Sequence, residues 1–304
     1  MRKTNDTVVY YHKNCYDGFA AAYCMWLMFG DDADYVPMQY GDSFVEAQYE
    51  GKDVFMVDFS AKRQQILHMA GLATTLTVID HHKTAEQELA RIGNVGNLEV
   101  IFDMDKAGCE LTWDYVSAIM HAPPPVPWFL PYIADRDLWK FELRDTKAVY
   151  VWMNLKFGDL STATFADWYD LASQQMPPTL LAEGYTILAY EKMRIRDCLK
   201  TLVVTTALFD DLRVGVLRNV PVYFMSEVGN IVMSEMANEY RLDCVAMPML
   251  TTTEDDLTVC KVSMRSTADH VDVAELVVRF GGGGHRNAAG FEMPVSQAIT
   301  TGVL

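Results

Sequence analysis

Histidine and aspartate residues follow short apolar runs at several points in the first half of the sequence. The residues concerned, run by run, are His12 and Asp17 after TVVYY, Asp58 after DVFMV, Asp80, His81 and His82 at the end of TLTVID and after it, and Asp135, Arg136 and Asp137 at the end of FLPYIAD and after it. Carboxylate and imidazole groups are ligands for Mn²⁺, Mg²⁺, Fe²⁺ and Zn²⁺, and one carboxylate can bridge two ions. Two ions about 3.5–4 Å apart would clamp a phosphoryl group and lower the pKa of a bound water. The pattern therefore indicates a metal site.

A parallel sheet would bring these distant residues together. Apolar runs predict strands at 7–12, 34–40, 53–58, 75–80 and 98–103, and a sixth run at 129–135 is either a strand or the end of a helix. Amphipathic segments at 19–29, 61–72 and 107–120 lie between them. This alternation predicts βα units on a mostly parallel sheet, whose strands all end at the edge where ligands bind.

Each of these residues also has an ordinary structural explanation. A single aspartate at a strand end usually caps a turn or helix, and a single histidine is more often structural than a ligand. Adjacent histidines inside a strand point to opposite faces, so His81 and His82 can share a site only where the strand ends. Four apolar runs that each end in carboxylate or imidazole residues favour the metal site over these explanations.

The whole chain is predicted to be an α/β protein with two domains joined by a helix. The expected divisions are a catalytic domain at 1–178, a linker helix at 179–202 and a smaller α/β domain at 203–304. In the last of these, strands are predicted for LRVGVLR, VPVYFM, DCVAMPML and LTVCKVSMRS, with a helix at 226–240.

A run of four glycines stands near the C-terminus, in FGGGGHRNAAGF (280–291). Glycines permit close backbone approach to a ligand, and their N–H groups can surround an anion. His285 and Arg286 follow at once, and Arg265 lies on a predicted strand. A phosphate-binding segment is therefore expected, with a flexible surface turn as the alternative.

Composition excludes some classes of partner. The formal net charge of −16 argues against a basic track for duplex DNA, and no apolar run is long enough to span a membrane. Six dispersed cysteines and a short apolar run near the start favour a reduced, cytoplasmic protein.

The motifs together resemble those of the DHH/DHHA1 phosphoesterases, of which the nanoRNase or oligoribonuclease-like enzymes are examples. The resemblance rests on VDFS, IDHHKT, ADRDLW and GGGGHRNAAGF, and it covers nearly the whole chain in the family's order. It implies a dinuclear site in the first domain, with Mn²⁺ expected and Mg²⁺, Co²⁺ or Fe²⁺ as alternatives. The second domain would grip the substrate across an interdomain cleft.

The resemblance also implies roles for individual residues. His12 and Asp58 would hold one ion, and Asp17, Asp58, His81 and Asp135 the other, with Asp58 bridging. Asp80 would orient its neighbours and His82 would face the scissile phosphate. The substrate would contact Arg265, Gly282, Gly283, Gly284, His285 and Arg286. At one position the chain departs from the family, because Cys15 stands where an aspartate is common, and it is an additional candidate ligand.

The expected activity is hydrolysis of phosphodiester or terminal phosphate bonds in short single-stranded oligonucleotides or small nucleotides by a metal-bridged hydroxide, in a monomer or homodimer. Alternatives within enzymes are a cyclic-dinucleotide or nucleoside-bisphosphate phosphatase and an exopolyphosphatase. Outside enzymes, the alternatives are a nucleotide-binding module whose catalysis is impaired at Cys15, and an interaction protein on the same scaffold.

Overall fold

A computed structural model describes residues 5–158, 160, 163–209, 211–253, 256–267 and 270–304. The chain forms two compact units, residues 1–188 and 189–304. The division falls inside a helix, Leu180–Leu199, which coincides with most of the predicted linker at 179–202. The domain limits given above remain predictions.

The first unit contains a five-stranded parallel sheet. Its strands are β1 (Thr7–His12), β2 (Ala33–Met38), β3 (Asp53–Val57), β4 (Thr75–Asp80) and β5 (Leu98–Phe102), in the spatial order β2-β1-β3-β4-β5. All five predicted strands are confirmed to within two residues. The α/β fold class is likewise confirmed, with a mixed second sheet in the other unit.

Helices connect the strands and cover the sheet. They are α1 (Tyr16–Phe29), α2 (Arg63–Leu72), α3 (Lys83–Leu89), α4 (Gly108–Ile119), α5 (Leu130–Asp137), α6 (Thr146–Phe157), α7 (Phe165–Ser173) and α8 (Leu180–Leu199). The run at 129–135, predicted to be either a strand or the end of a helix, is therefore helical. Pro131 suits the first turn of a helix, and Leu130, Ile133 and Ala134 form its buried face.

Side chains of the strands alternate between two cores. Val9 and Phe55 point toward α1 and α4, whereas Val8 and Met56 pack in the cluster that contains residues of α2. This alternation is expected because successive side chains of an extended chain point to opposite faces of the sheet. Both faces of the sheet are thus buried, and its edge with the carboxyl ends of the strands is left for polar groups.

The second unit is built on a six-stranded mixed sheet. Its elements are β6 (Val203–Thr205), β7 (Val214–Val216), α9 (Met225–Ile231), α10 (Ala237–Tyr240), β8 (Cys244–Thr252), β9 (Thr258–Arg265), α11 (Val273–Val277), β10 (Gly283–His285), β11 (Ala288–Pro294) and α12 (Val295–Thr300). The strand order is β10-β11-β9-β8-β7-β6, and of the described strands of this second sheet only β7 and β8 pair in parallel.

The strand predicted for VPVYFM is wrong. Residues Val222–Phe224 form a single 3-10 turn that leads into α9, and a π-helical turn, Val232–Met236, joins α9 to α10. Pro221 explains the difference, because its fixed φ and missing N–H suit the start of a helix and weaken a sheet. In the part of the chain that the structure describes, no helix has the length and apolar character needed to cross a membrane.

Candidate metal centre

His12, Asp58 and Asp80 lie at the carboxyl ends of three adjacent strands. His12 ends β1, Asp58 follows β3 and Asp80 ends β4, and β3 pairs with both of the others. Asp58 has a positive φ of 51°, a conformation that aspartate tolerates better than most residues. The chain therefore turns at Asp58, and strand order alone brings residues from distant parts of the sequence to one edge.

Asp58 is the centre of the cluster. Its Oδ1 lies 3.1 Å from Nε2 of His81, and its Oδ2 lies 3.4 Å from Nδ1 of His12. Two groups of potential ligand atoms, each within a 4.8 Å span, share this carboxylate: His12, Asp58 and His82 form one, and Asp17, Asp58 and His81 form the other. Two overlapping ligand groups around one carboxylate are the arrangement that two neighbouring cations require.

Asp17 belongs to the first turn of α1 and is almost completely buried. Its carboxylate accepts hydrogen bonds from the N–H groups of Gly108 (2.7 Å) and Cys109 (2.8 Å), at the start of α4. Oδ2 of Asp17 also lies 3.4 Å from Nε2 of His81. The amino-terminal end of α4 thus positions Asp17 and favours its negative charge.

Gly108 allows α4 to approach the cluster this closely. A Cβ atom at this position would lie 2.6 Å from Cβ of Asp58 and 2.9 Å from Oδ2 of Asp17. Neither neighbour can move without disturbing the ligand groups. Glycine at 108 is therefore required by the packing of the site.

Asp80 holds the two histidines that follow it. Its Oδ1 accepts hydrogen bonds from the N–H groups of His81 (2.8 Å) and His82 (3.2 Å) and lies 2.7 Å from Nδ1 of His82. The contact between Nδ1 of His82 and Asp80 fixes the orientation of the His82 ring.

The structure does not bring Asp135 to the cluster. Its carboxylate accepts hydrogen bonds from the N–H groups of Glu142 (2.8 Å) and Leu143 (3.2 Å) and from the hydroxyl of Thr146. Asp137, two residues later, lies there instead, with Oδ2 3.5 Å from Nε2 of His81. This corrects the residue predicted for the position. On a strand, side chains two residues apart point to the same face, whereas on a helix they point in different directions. Because this segment is helical, Asp135 and Asp137 do not face the same site.

Cys15 and Tyr40 complete the surroundings. Cys15 is the half-buried N-cap of α1, and burial raises the pKa of its thiol well above the usual range, with a further contribution from Asp58. Tyr40 was missed by sequence reasoning, although its ring centroid lies 5.8 Å from that of His12 and 5.9 Å from that of His82. No chemical signal distinguishes Tyr40 from other aromatic residues at a strand end.

The electrostatics of the cluster favour a cation. Burial raises the pKa of Asp17 and Asp137, and the charge of Asp58 raises both further. Burial would also raise the pKa of Asp58, but His12 and His81 lower it well below its usual range. For His81, burial lowers the pKa, but contact with Asp58 and the charges of Asp137 and Asp17 raise it to about 11. Buried carboxylates thus outnumber the groups that neutralise them.

The donor set fits divalent ions. Nδ1 of His12, Oδ2 of Asp58 and Oδ2 of Asp137 are buried, and none forms a hydrogen bond with any residue in the described ranges. Buried polar atoms without partners are costly, so their presence together indicates a ligand that they share. Mixed carboxylate and imidazole ligands suit Mn²⁺, Mg²⁺, Co²⁺ and Fe²⁺.

In the second unit, Arg265 ends β9 and has a fixed side chain. Its guanidinium donates to Oγ of Ser263 (2.9 Å), the carbonyl of Met264 (2.8 Å) and Oγ of Ser226 (3.0 Å). Gly229 of α9 makes room for it, because a Cβ atom there would lie 2.6 Å from Cγ of Arg265. The side chain is held in place before any substrate binds.

The glycine run forms a tight hairpin. Gly283 and Gly284 pair with Gly290 and Ala289 across β10 and β11, so the segment is mostly strand. The N–H group of Gly282 already donates to the carbonyl of Val277 (3.1 Å), so it does not serve an anion. Arg286 lies 3.5 Å from Oδ2 of Asp272. The structure therefore places the substrate-binding residues predicted from the glycine run in and beside a hairpin.

Comparisons with known proteins agree with this architecture. The model of the DHHA1 domain family matches residues 218–301. Uncharacterized protein R106 of Acanthamoeba polyphaga mimivirus is 30% identical over 305 residues, covering 95% of this chain and 68% of the relative.

Similar solved structures share little sequence. An exopolyphosphatase-related protein from Bacteroides fragilis is 14% identical and has a TM-score of 0.51, over 99% of this chain and 91% of that one. A pGpG-specific phosphodiesterase, PggH, from Vibrio cholerae is 11% identical, with a TM-score of 0.45, over 96% of this chain and 95% of that one. The first of these similarities supports the fold. On the DHHA1 domain match and the relative that is 30% identical over 95% of this chain, the chain belongs to the DHH/DHHA1 family of phosphoesterases.

Proposed function

We propose that the protein is a metal-dependent phosphoesterase that hydrolyses phosphodiester or terminal phosphate bonds in short oligonucleotides or small nucleotides. The observation that carries this proposal is the pair of ligand groups that share Asp58. Within the family, that arrangement suits two divalent ions acting on one phosphoryl group.

The first unit supplies the ligands. His12, Asp17, Asp58, His81 and Asp137 would hold the ions, with Mn²⁺ expected and Mg²⁺, Co²⁺ or Fe²⁺ as alternatives. When bound, such ions stabilise negative charge on a phosphoryl oxygen and lower the pKa of a water. Asp80 orients the ring of His82 through Nδ1, and His82 would face the scissile phosphate and stabilise charge on its phosphoryl oxygens. Cys15 lies half-buried beside these groups, and burial raises the pKa of its thiol, which favours the protonated form.

The second unit would bind the rest of the substrate. Arg265 presents a guanidinium that is already held by three acceptors, so little ordering remains to be done when a phosphate arrives. Gly283, Gly284, His285 and Arg286 are proposed to contribute alongside it. The net charge of −16 suits short substrates better than long single strands, which require an extended basic groove.

A panel of substrates tests this function. Protein stripped with a chelator and reloaded with Mn²⁺, Mg²⁺, Co²⁺ or Fe²⁺ is incubated with dinucleotides, longer oligonucleotides, a cyclic dinucleotide, 3′-phosphoadenosine 5′-phosphate and polyphosphate. We expect metal-dependent release of mononucleotides from the shortest oligonucleotides. Faster turnover of another substrate would select the corresponding alternative enzyme. Nucleotide binding without turnover under every metal would instead favour the binding module.

Cys15→Asp distinguishes an impaired site from an intact one. The residue has extended backbone at the N-cap of α1, a position that aspartate favours, and its added carboxylate would face the cluster. We expect activity with Mn²⁺ to be retained or increased. Without metal, the variant should unfold at a lower temperature, because another negative charge is buried near Asp17 and Asp58.

Cys15→Ser is the matched control, since it keeps the size of the side chain and adds no charge. Its turnover and melting temperature should stay close to those of the unmodified protein. A large loss of activity in both variants would contradict the prediction and assign a specific role to the thiol.

A further inference from the structure

Arg136 has an unusual environment in the first unit. It lies on α5 immediately before Asp137, and its guanidinium carbon lies 4.0 Å from the ring centroid of Trp139, 4.8 Å from Tyr150 and 5.8 Å from Phe141. These three rings are called the Arg136 cage below. Aromatic faces attract a guanidinium and fix its position, but they accept none of its N–H groups in conventional hydrogen bonds.

The cage depends on strained backbone. Trp139 and Phe141 have positive φ values of 57° and 52°, which are outliers for bulky side chains. Asp135 holds this loop, because its carbonyl accepts from the N–H groups of Lys140 (3.0 Å) and Phe141 (3.5 Å). Its carboxylate accepts from the next two N–H groups and from Thr146. Strain that is stabilised by a buried carboxylate is typical of functional sites.

The guanidinium has donors to spare. Within the described part of the chain, no residue accepts a hydrogen bond from the Arg136 side chain or forms an ion pair with it. The side chain is only half-exposed, so its charge is partly removed from water. Because no described residue accepts its N–H groups, the guanidinium can donate them to a bound anion.

Arg136 is also close to the metal centre. Asp137 follows it in the chain and reaches within 3.5 Å of His81. Tyr150, one ring of the Arg136 cage, has its centroid 5.3 Å from that of Tyr16, the residue before Asp17, so the guanidinium lies beside the elements that hold the cluster. An anion bound by Arg136 would therefore be near the phosphoryl group that the cluster is proposed to hold.

We propose that Arg136 is a phosphate-binding residue of the first unit, whose caged guanidinium donates hydrogen bonds to phosphoryl oxygens of the substrate. The inference rests on the proposed function for the identity of the substrate. Guanidinium groups match phosphate with paired hydrogen bonds, which ammonium groups do not. Asp135 is then the residue that builds the cage, and Asp137 the residue that faces the ions.

The test compares Arg136→Gln and Arg136→Lys with Arg144→Gln, whose native side chain is 92% exposed. Turnover of the best substrate in the panel gives kcat and KM, and titration calorimetry of Mn²⁺-loaded protein measures the affinity for inorganic phosphate. We expect Arg136→Gln to raise KM and weaken phosphate binding by about 10- to 100-fold, the range for a lost charged hydrogen bond. Arg136→Lys should recover part of both, and Arg144→Gln should change neither.

The binding arm separates this inference from the proposed function. If the unmodified protein turns over no substrate, the function fails, while the phosphate affinities still decide the role of Arg136. Unchanged KM and phosphate affinity in Arg136→Gln would overturn the inference and leave the cage a structural feature. The melting temperatures of all variants are compared to check that they fold. If Arg136→Gln does not fold, Arg136→Lys becomes the deciding variant, because it keeps the positive charge. It should fold and bind phosphate more weakly than the unmodified protein, and unchanged phosphate affinity would overturn the inference.

Discussion

Asp58→Ala should abolish phosphoesterase turnover, with a fall in kcat/KM of about 10³-fold or more, because one carboxylate serves both ligand groups. No other described residue occupies both groups of three, so no neighbour can replace it. Asp58→Asn provides a second variant with nearly the same shape, which preserves the close packing against Gly108. It too should lose turnover.

Metal binding can be followed without activity. Mn²⁺ should raise the melting temperature of the unmodified protein, since a ligand that binds only the folded state stabilises it. Asp58→Asn should lose most of that increase. Asp114→Asn is the control, because this aspartate lies on α4 and pairs with Lys106 in solvent. Near-normal activity of Asp58→Ala would contradict the two-ion arrangement.

Asp137→Asn should mainly reduce metal affinity and turnover, whereas Asp135→Asn should mainly reduce the stability of the fold. Asp137 faces His81 with an oxygen that has no hydrogen-bond partner among the described residues, so its loss should reduce Mn²⁺ affinity and turnover by about 10- to 100-fold or more. The metal-free variant should be at least as stable as the unmodified protein, because a half-buried negative charge is removed beside Asp58 and Asp17.

Asp135→Asn should mainly destabilise the fold. The carboxylate is buried and accepts hydrogen bonds from two backbone N–H groups and one hydroxyl, and an amide cannot satisfy all of them. Loss of about 1–3 kcal/mol in the free energy of unfolding is expected. Denaturant unfolding and Mn²⁺ titration of both variants measure the contrast. Loss of metal affinity in Asp135→Asn with unchanged stability would restore Asp135 as the ligand.

Much of the first unit was predictable because its signals are local. Five apolar runs bounded by polar residues became five strands, and the three helices predicted between them are present as α1, α2 and α4. The error in the second unit occurs where one composition suits two structures. VPVYFM has residues typical of strands, but its second residue, Pro221, starts a 3-10 turn that leads into α9.

The sequence could not show which aspartate of the ADRD segment lies at the candidate metal centre. Asp135 and Asp137 both lie in ADRD, and their directions depend on the helix that carries them and on the loop that follows. Arg136 shows the same limitation, because its three rings come from a loop and from α6. Side-chain direction is set by backbone geometry and packing, which residue types do not encode.

By itself, the sequence determined the chemistry: carboxylates and imidazoles at strand ends, the order of the family's motifs, and the α/β class. The residue types at the strand ends and the α/β class follow from composition and short-range periodicity, which act within a few residues, whereas the order of the motifs comes from the resemblance to the family. Only the tertiary structure decided that Asp17 is held by the start of α4 and that Asp137 rather than Asp135 reaches His81. Such choices depend on distances of a few ångströms between elements far apart in the chain, and packing alone sets those distances.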